Sequence, residues 1–432
     1  MDKKLFQYVK DISQKLVEAQ RPIQILDAIK WRDDIFDAFK KSGYKAIPKV
    51  DKAYYENIPL KFDATKKIEE FDTIQKNIQK TLGKDEPVAK ILLRNCSQYA
   101  DVVRMLSHRG TNEFYTYSKK LFGSANDLLG DNKTALVEAG ILLSEILTSI
   151  KNSDLGVCYI KSISSEEAVE VLNSRLAEYF GDTSITVKLD DGILSDAAAG
   201  SNYIKIRKGL KFSAREVDIF EVHEGWVHVG TTLNGTMQPY AQWLSKGPPC
   251  TTSVQEGLAF LLEVFTFVCT PDRLSRINNR LVACEMAESG ANFLQVYDYY
   301  KNLDMPEEQA FKNAHRIFRG GVVGGGAPFT KDISYTRGFI GTYNFIRSAI
   351  RIGKPEMIPF LFTGKVTLED VPVLFEYAKQ GLIEKPRFLP KQFADLNGLV
   401  VWMSFSNFLN KMKLDTISEK LFLDYSQTSQ YK

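Results

Sequence analysis

The sequence predicts an α+β fold that is mainly α, with a small β-sheet and a helical N-terminal region. Two observations lead to this prediction. Apolar residues recur at helical spacing over most of the 432 residues. Strand-like alternation is confined to one stretch, ITVKLDDGILSDAAAGSNYIKI at 185–206, where Asp191-Gly192 and Gly200-Ser201-Asn202 are turn signals. The chain is therefore expected to consist of a few short strands set among many helices.

The elements before the strands suggest a first region of helices, residues 1–155. Helical periodicity is clear in KKLFQYVKDISQKLVEA, PVAKILLRNCSQYADVVRMLSH and TALVEAGILLSEILTSI. Between the first two, KSGYKAIPKVDKAYYENIPLKF has two prolines and weak periodicity, so we interpret it as a loop. The remainder, 156–432, is expected to form a second domain that contains the strands and a long run of helices.

Start and stop signals delimit the helices around the strands. A helix should begin at Ser164 or Ser165 and stop at Gly181. Directly after the strands, Ser213 and Glu216 form an S-x-x-E capping box, which satisfies free amides at a helix start. That helix should run to about Gly235. A further helix, containing SVQEGLAFLLEVFTFV, should begin near Thr251.

Composition excludes several classes of protein. A hydrophobic share of 44% predicts a folded globular chain, and 56 basic against 53 acidic residues give no reason to expect nucleic-acid binding. Five cysteines without a CxxC pair favour reduced thiols. The N-terminus lacks a signal-peptide core, and LAFLLEVFTFVC is too short to span a bilayer. We therefore expect a cytoplasmic protein without membrane segments.

Two of the four histidines flank a glutamate in His223-Glu224-Gly225-Trp226-Val227-His228, an HExxxH pattern. In an α-helix, positions four apart differ by roughly 40° around the axis and positions five apart by roughly 140°. Two imidazoles five apart could therefore not meet at one ion. A π-turn between His223 and His228 would realign them, and Gly225 would ease the backbone change. If both histidines bind metal, the spacing predicts a π-bulge.

A catalytic zinc ion needs a third protein ligand and an open position for water. Glu256, near the start of the next helix, suits that role, and Glu263, two turns further on, is its rival or a hydrogen-bond partner of a ligand histidine. Glu224 would be the general base that takes a proton from the zinc-activated water. A structural zinc site would instead need a fourth ligand, for which Cys250 is the nearest candidate.

The segments HEGWVHVGTTLNG and VQEGLAFLLE resemble the QEGLA-motif family, known in bacteria as flavohaemoglobin-expression-modulating proteins. This family is similar to the one containing the microtubule-associated tyrosine carboxypeptidases. The resemblance covers roughly residues 160–350 and includes RIFRGG, GAPFTKDISYTRGF and YNFIR. It implies a zincin-like metallopeptidase domain over 156–432. It also implies Zn²⁺ held by His223, His228 and Glu256, with Glu224 catalytic.

A carboxypeptidase must also hold the terminal carboxylate of a peptide or protein substrate, which arginine does best. Candidates follow the metal motifs, and Arg319, Lys331 and Arg337 are preferred over Arg316. Tyr335, or else His315, could donate a hydrogen bond to the oxyanion. Two further expectations concern the cleft: the glycine run 320–326 would form a mobile flap, and the strand NYIKI would be a sheet edge that pairs with substrate.

The sequence thus predicts a zinc carboxypeptidase that removes a C-terminal residue, tyrosine-type by resemblance. Two alternatives stay open. One is a zinc endopeptidase or aminopeptidase, which would have a carboxylate, or no cation, at the end of the cleft. The other is a non-catalytic regulatory protein that retains a metal site. The oligomeric state and the physiological substrate do not follow from the residues.

Overall fold

The computed structural model describes residues 3–148, 159–193, 195–409 and 411. Within these ranges the protein is mostly helical with two small sheets, as the sequence predicts. The α-helices, in chain order α1 to α19, are Lys3–Gln20, Ile25–Ala28, Asp33–Lys41, Lys52–Glu56, Ala64–Leu82, Pro87–Ser107, Asn112–Phe122, Leu136–Thr148, Ser165–Phe180, Ala214–Phe220, Gly230–Thr236, Thr252–Phe265, Pro271–Glu288, Phe293–Lys301, Glu307–Phe318, Ser334–Arg351, Asp370–Gln380, Lys391–Ala394 and Leu396–Leu409. A π-helix, Glu221–Val229, joins α10 to α11. The 3-10 helices are Gln242–Ser245, Pro249–Thr251, Thr330–Ile333 and Pro355–Phe362.

Five short strands make up the two sheets. They are β1 Ile163–Ser164, β2 Thr186–Asp190, β3 Ala197–Ala199, β4 Tyr203–Arg207 and β5 Lys211–Phe212. β1 and β5 pair antiparallel, while the larger sheet has the order β2-β4-β3. β4 is parallel to β2 and antiparallel to β3, with Ala198 opposite Lys205. The strand NYIKI is therefore central, and its expected role as an edge is wrong; within the described residues the edge nearest the π-helix belongs to β3.

Local sequence signals correctly place several helix ends. Ser164 caps α9 through a capping box with Glu167, and Ser213 caps α10 through one with Glu216. Gly181 ends α9 as expected. The segment 41–62 differs from its prediction, because α4 forms inside it: the Asp51 side chain accepts a hydrogen bond from the amide of Tyr54 and caps a single turn. Residues 149 and 150, at the end of the predicted helix at 134–150, lie outside the described residues.

The N-terminal helices share one core with the C-terminal half. Buried side chains of α1 and α6, such as Leu16 and Leu92, belong to the same apolar cluster as Leu258 of α12 and Ile346 of α16. Burial of these groups is the main force that holds the two parts together. The boundary expected between 155 and 156 falls outside the described residues and stays a prediction. No helix in the described ranges is both long enough and apolar enough to cross a membrane.

Two glycines bring α12 against α16. A Cβ atom on Gly257 would lie 2.0 Å from the carbonyl carbon of Gly338, and one on Gly338 would lie 1.7 Å from the carbonyl oxygen of Ser253. No side chain fits at either position, so the backbones of the two helices touch. The glycine of the QEGLA segment therefore serves helix packing, and it brings Glu256 of α12 close to the start of α16.

The glycine run is tied to the helical core. Gly320 donates a backbone hydrogen bond to the Tyr55 hydroxyl at 2.7 Å, its own carbonyl accepts one from Gly110, and Gly326 donates one to the carbonyl of Ala287. A Cβ atom on Gly325 would lie 2.2 Å from the carbonyl oxygen of Gly290. Both ends of the run are thus anchored by backbone contacts, and the expected mobile flap stays a prediction.

Candidate metal centre

The π-helix Glu221–Val229 carries both histidines of the HExxxH pattern. The prediction of π-helical geometry between them is confirmed, and the π-helix extends beyond a single turn. That Gly225 eases the backbone change stays a prediction, and the structure shows in addition a packing role for this glycine. Its missing side chain makes room for Leu176 of α9, whose Cδ2 would lie 2.5 Å from a Cβ atom there. Gly225 therefore allows α9 to pack tightly behind the π-helix.

His223, His228 and Glu256 converge. One potential ligand atom from each lies within 4.8 Å of the others. Glu256 Oε2 is 3.5 Å from Nε2 of His223 and 3.7 Å from Nε2 of His228. The imidazole rings are nearly perpendicular, with centroids 4.8 Å apart. The two nitrogens and the carboxylate oxygen thus face one another around a common point, an arrangement suited to a bound cation.

The side chains of the triad are also coupled electrostatically. Burial alone would lower the pKa of His223, but hydrogen bonds to Glu256 and Glu263 raise it to about 10. Burial would raise the pKa of Glu256, but Lys331 and the two histidines hold it well below its usual value. These shifts favour a protonated imidazole beside an ionised carboxylate. A metal ion bound by neutral imidazole would displace that proton.

Glu263 lies behind His223. Its Oε1 is 2.7 Å from Nδ1 of His223, and the carboxylate accepts two hydrogen bonds from Arg273, at 2.8 and 3.1 Å. The side chain is fully buried. Of the two roles left open by the sequence, this geometry matches the hydrogen-bond partner, because Glu263 occupies the nitrogen that faces away from Glu256. Such a partner fixes the orientation of a ligand imidazole.

Glu224 adjoins the triad without belonging to it. Its Oε2 accepts a hydrogen bond of 2.9 Å from the amide of Ala199, on the edge strand β3. The backbone of the sheet therefore orients this carboxylate. Cys250 does not join the group of potential ligands either: within the described residues that group contains His223, His228 and Glu256. A fourth protein ligand, as a structural zinc site would require, is not supplied by Cys250.

A cavity of about 120 Å³ opens beside His223 and Glu224, and Tyr335 lines it too. Asp196 also lines it, but we call it the basic pocket after five cationic side chains of its lining, which are Arg273, Arg276, Arg280, Lys312 and Arg316. Arg273 is paired with Glu263, and Arg316 is paired with Asp332 at 2.8 and 3.0 Å. Arg280 differs: its Nε is buried and has no hydrogen-bond partner among the described residues. The pocket is thus suited to an anionic group.

The microtubule-associated tyrosine carboxypeptidase family matches residues 37–411 of this chain, which include the triad and the basic pocket. The chain belongs to this family. A search of curated proteins finds no match. The resemblance suggested by the HExxxH and QEGLA segments is therefore confirmed at the level of the tyrosine carboxypeptidase family, over a longer part of the chain than 160–350.

The tyrosine carboxypeptidase match leaves out residues 1–36, yet part of that segment lies near the triad. A second cavity, of about 250 Å³, is lined by residues from this segment and from the family match. They are residues 20, 23, 25 and 26, together with Tyr99, Val102, Phe122, Gly247, Pro249, Thr252 and Lys331. We call it the apolar pocket. Lys331 connects it to the triad, because its Nζ lies 3.1 Å from Oε1 of Glu256. The triad therefore has a basic cavity and an apolar cavity as neighbours.

The remaining predicted residues lie in different surroundings. Tyr335 lines the basic pocket with its ring 5.3 Å from the Arg280 guanidinium and 5.8 Å from Lys331 Nζ. Arg319 is buried over the ring of Phe329, and its Nε has no hydrogen-bond partner among the described residues. His315 stacks on Trp31, with ring centroids 4.3 Å apart, and does not line the basic pocket.

Arg337 points away from both cavities. Its guanidinium donates to the carbonyls of Phe122 and Ser124 and to the carboxylate of Asp127. It lines neither pocket. These contacts favour a structural role for Arg337. Arg280, by contrast, was not among the sequence candidates, because it lies on α13, a helix without a recognisable motif. The structure reveals it, because α13 packs against α8, α15 and the 3-10 helix Thr330–Ile333 and lines the same cavity as His223 and Glu224.

Proposed function

We propose that this chain is a zinc-dependent carboxypeptidase that removes the C-terminal residue, preferentially tyrosine, of a peptide or protein. The observation that carries the proposal is the convergence of His223, His228 and Glu256 beside a basic pocket, in a member of the tyrosine carboxypeptidase family. Two imidazoles and one carboxylate are a donor set typical of catalytic zinc. A zincin-like arrangement, with a small sheet next to the metal-binding helix, is part of this proposal.

The donor set fits zinc on three counts. The potential ligand atoms lie within 4.8 Å of one another, the Nδ1 of His223 is already occupied by Glu263, and Glu256 is anchored by Lys331. His223, His228 and Glu256 would hold the ion. Zinc, when bound, supplies a Lewis acid that activates water at neutral pH.

Glu224 is the general base of the proposed reaction. Ala199 fixes one of its carboxylate oxygens, which leaves the other free to accept a proton from an attacking water. The same group then returns the proton to the amine of the departing residue. Tyr335 is the proposed hydrogen-bond donor to the developing oxyanion, since it lines the same cavity as His223 and Glu224.

The basic pocket is the proposed site of the terminal carboxylate. Arg280 has a buried Nε there without a hydrogen-bond partner among the described residues. Arg319 is a second buried guanidinium with such an Nε, although it is not among the residues that line this pocket. Lys331 lies at the boundary with the apolar pocket, which is proposed to hold the side chain of the residue removed. A carboxylate on one side and an apolar side chain on the other would define the C-terminal residue of the substrate.

The test compares a peptide that ends in tyrosine with its C-terminal amide, on the zinc-loaded full-length chain. Mass spectrometry should detect loss of one residue from the acid and far slower loss from the amide. Glu224→Gln should lower kcat/KM on the order of 10²- to 10⁴-fold with zinc content unchanged. Glu256→Gln should lose zinc. Equal cleavage of acid and amide would instead favour an endopeptidase, and full activity of Glu224→Gln would contradict the proposed base.

A further inference from the structure

Lys365 lies in the segment between the 3-10 helix Pro355–Phe362 and α17, far along the chain from both metal motifs. Its Nζ is 2.9 Å from the carbonyl oxygen of His228, 3.0 Å from Oγ1 of Thr231 and 2.7 Å from Oε1 of Gln255. Three acceptors match the three N–H donors of a lysine ammonium group. The side chain thus has a hydrogen-bond acceptor for each of its three donors.

Two of these acceptors belong to the elements that carry the triad. The carbonyl of His228 is part of the π-helix, and Gln255 directly precedes Glu256 on α12. Thr231 closes the network, because its hydroxyl lies 2.9 Å from Gln255 Oε1 and donates to the carbonyl of Val227. One ammonium group therefore connects the backbone at one potential ligand to the neighbour of another.

The segment that presents Lys365 is itself fixed. The amide of Lys365 donates to the carbonyl of Leu244, and a Cβ atom on Gly364 would lie 2.5 Å from that same oxygen. Asp370 accepts hydrogen bonds from the amide of Thr367 and from Arg94 of α6. The backbone around Lys365 is thus held by its contacts with Leu244 and with Asp370. Its side chain can therefore maintain the relative position of the π-helix and α12.

We propose that Lys365 is a positioning residue for the metal centre, which keeps His228 and Glu256 at the separation that zinc requires. The physical reason is that these two side chains sit on different elements, so their 3.7 Å spacing depends on how the π-helix and α12 pack. Lys365 contacts that junction directly and approaches the potential ligands only through backbone and neighbouring atoms. The inference rests on the proposed zinc site, and it adds a role to a residue outside both motifs.

The experiment measures zinc affinity on the full-length chain by competition with a chelator. Lys365→Met should weaken zinc binding roughly 10- to 100-fold, the range typical for groups that support metal ligands. Lys365→Arg should retain part of the affinity, since a cation and several donors remain. Lys379→Met is the matched control: Lys379 is exposed, pairs with Glu376 and should leave zinc affinity unchanged. Gln255→Met should weaken zinc binding as well, and the Lys365→Met and Gln255→Met effects should not add.

Three outcomes decide the matter. If Lys365→Met lowers the thermal stability of the zinc-free chain but binds zinc as the wild type does, the side chain is structural only and the proposal is overturned. If Lys365→Met does not fold, Thr231→Val and Lys365→Arg carry the test, and unchanged zinc affinity in both overturns it. If His228→Ala binds zinc as tightly as the wild type, the metal-site assignment fails, independently of Lys365.

Discussion

The two cavities beside the triad differ in almost every property that matters for recognition. The basic pocket is polar, lined by five cationic side chains, and adjoins His223 and Glu224. The apolar pocket has twice the volume and is lined mainly by hydrophobic side chains, with Lys331 as its link to Glu256. Under the proposed function, the basic pocket would receive the charge that every C-terminus carries, and the apolar pocket the side chain that differs between substrates.

Their origins in the chain differ too. The basic pocket is lined by residues of β3, α10, the π-helix, α13, α15 and α16, all within the family match at 37–411. The apolar pocket takes one wall from residues 20–26, before the match begins, and its other lining residues from within the match. We infer that residues 20–26 adjust the side-chain selectivity of this member, while the proposed carboxylate site lies wholly within the family match. Three predictions test that separation, in order of decreasing effect.

The largest effect is expected where a buried ion pair supports the basic pocket. Asp332→Asn would leave Arg316 buried without its carboxylate and should reduce the free energy of unfolding by about 3–5 kcal/mol. Burial alone would raise the pKa of Asp332, but Arg316 and Arg280 hold it well below its usual value. Because the folded pKa is depressed, the carboxylate stabilises the protein above about pH 4, the ordinary pKa of Asp, and this stabilisation is lost as the pH falls further.

Urea unfolding at pH 7 and at pH 3.5 checks this prediction. The difference between wild type and Asp332→Asn should be large at pH 7 and smaller at pH 3.5. Ile25→Ala, in the apolar pocket, is the matched comparison, since its effect should not depend on pH over the same interval. A difference between wild type and Asp332→Asn that stays constant down to pH 3.5 would contradict the assigned ion pair.

The second prediction concerns recognition of the terminal carboxylate. Arg280→Gln should lower kcat/KM for a peptide acid by about 2–3 kcal/mol of transition-state stabilisation, roughly 30- to 150-fold, because a charge-assisted hydrogen bond is lost. The matching peptide amide should be affected far less, and zinc content should not change. Arg337→Gln is the control, since its guanidinium is engaged by Asp127 and two backbone carbonyls.

Loss of acid selectivity in Arg337→Gln, with none in Arg280→Gln, would restore the original expectation for Arg337. The same assay applied to Arg319→Gln tells whether the second buried guanidinium shares the carboxylate. The sequence could not distinguish Arg280 from Arg337, because both are arginines. The structure distinguishes them by the hydrogen-bond partners of their guanidinium groups.

The candidate site shows where sequence reasoning succeeds and where it stops. The HExxxH spacing alone predicts the π-helix, because two imidazoles five residues apart cannot otherwise meet. Capping boxes at Ser164 and Ser213 likewise depend on residues three positions apart. Such signals involve residues that are close together in the chain, so they can be recognised from the sequence alone.

Residues brought in by long-range packing escape that reasoning. Arg280 reaches the basic pocket only because α13 packs against α15 and the 3-10 helix Thr330–Ile333, and Lys365 reaches His228 from 137 positions further along the chain. The pairing order of the strands also depends on contacts between distant parts of the chain, so the sequence alone does not reveal that β4 lies at the centre of its sheet. None of these placements follows from spacing or periodicity, since each depends on which helix or strand faces which.

The smallest effect is expected in the apolar pocket, where selectivity rests on shape. Ile25→Trp adds volume to the wall formed by residues 20–26 and should reduce kcat/KM for peptides ending in tyrosine or phenylalanine roughly tenfold relative to peptides ending in alanine, within the 1–3 kcal/mol typical of a hydrophobic pocket. Acid-over-amide selectivity should be unchanged, because the basic pocket is untouched.

Ile352→Trp, at an exposed position that lines neither cavity, is the control for the added indole. The measurement is competition between tyrosine- and alanine-ended peptides in one reaction, read by mass spectrometry. An equal reduction of kcat/KM for both peptides would mean that the apolar pocket does not receive the side chain of the residue removed. The separate roles proposed for the two pockets would then be wrong.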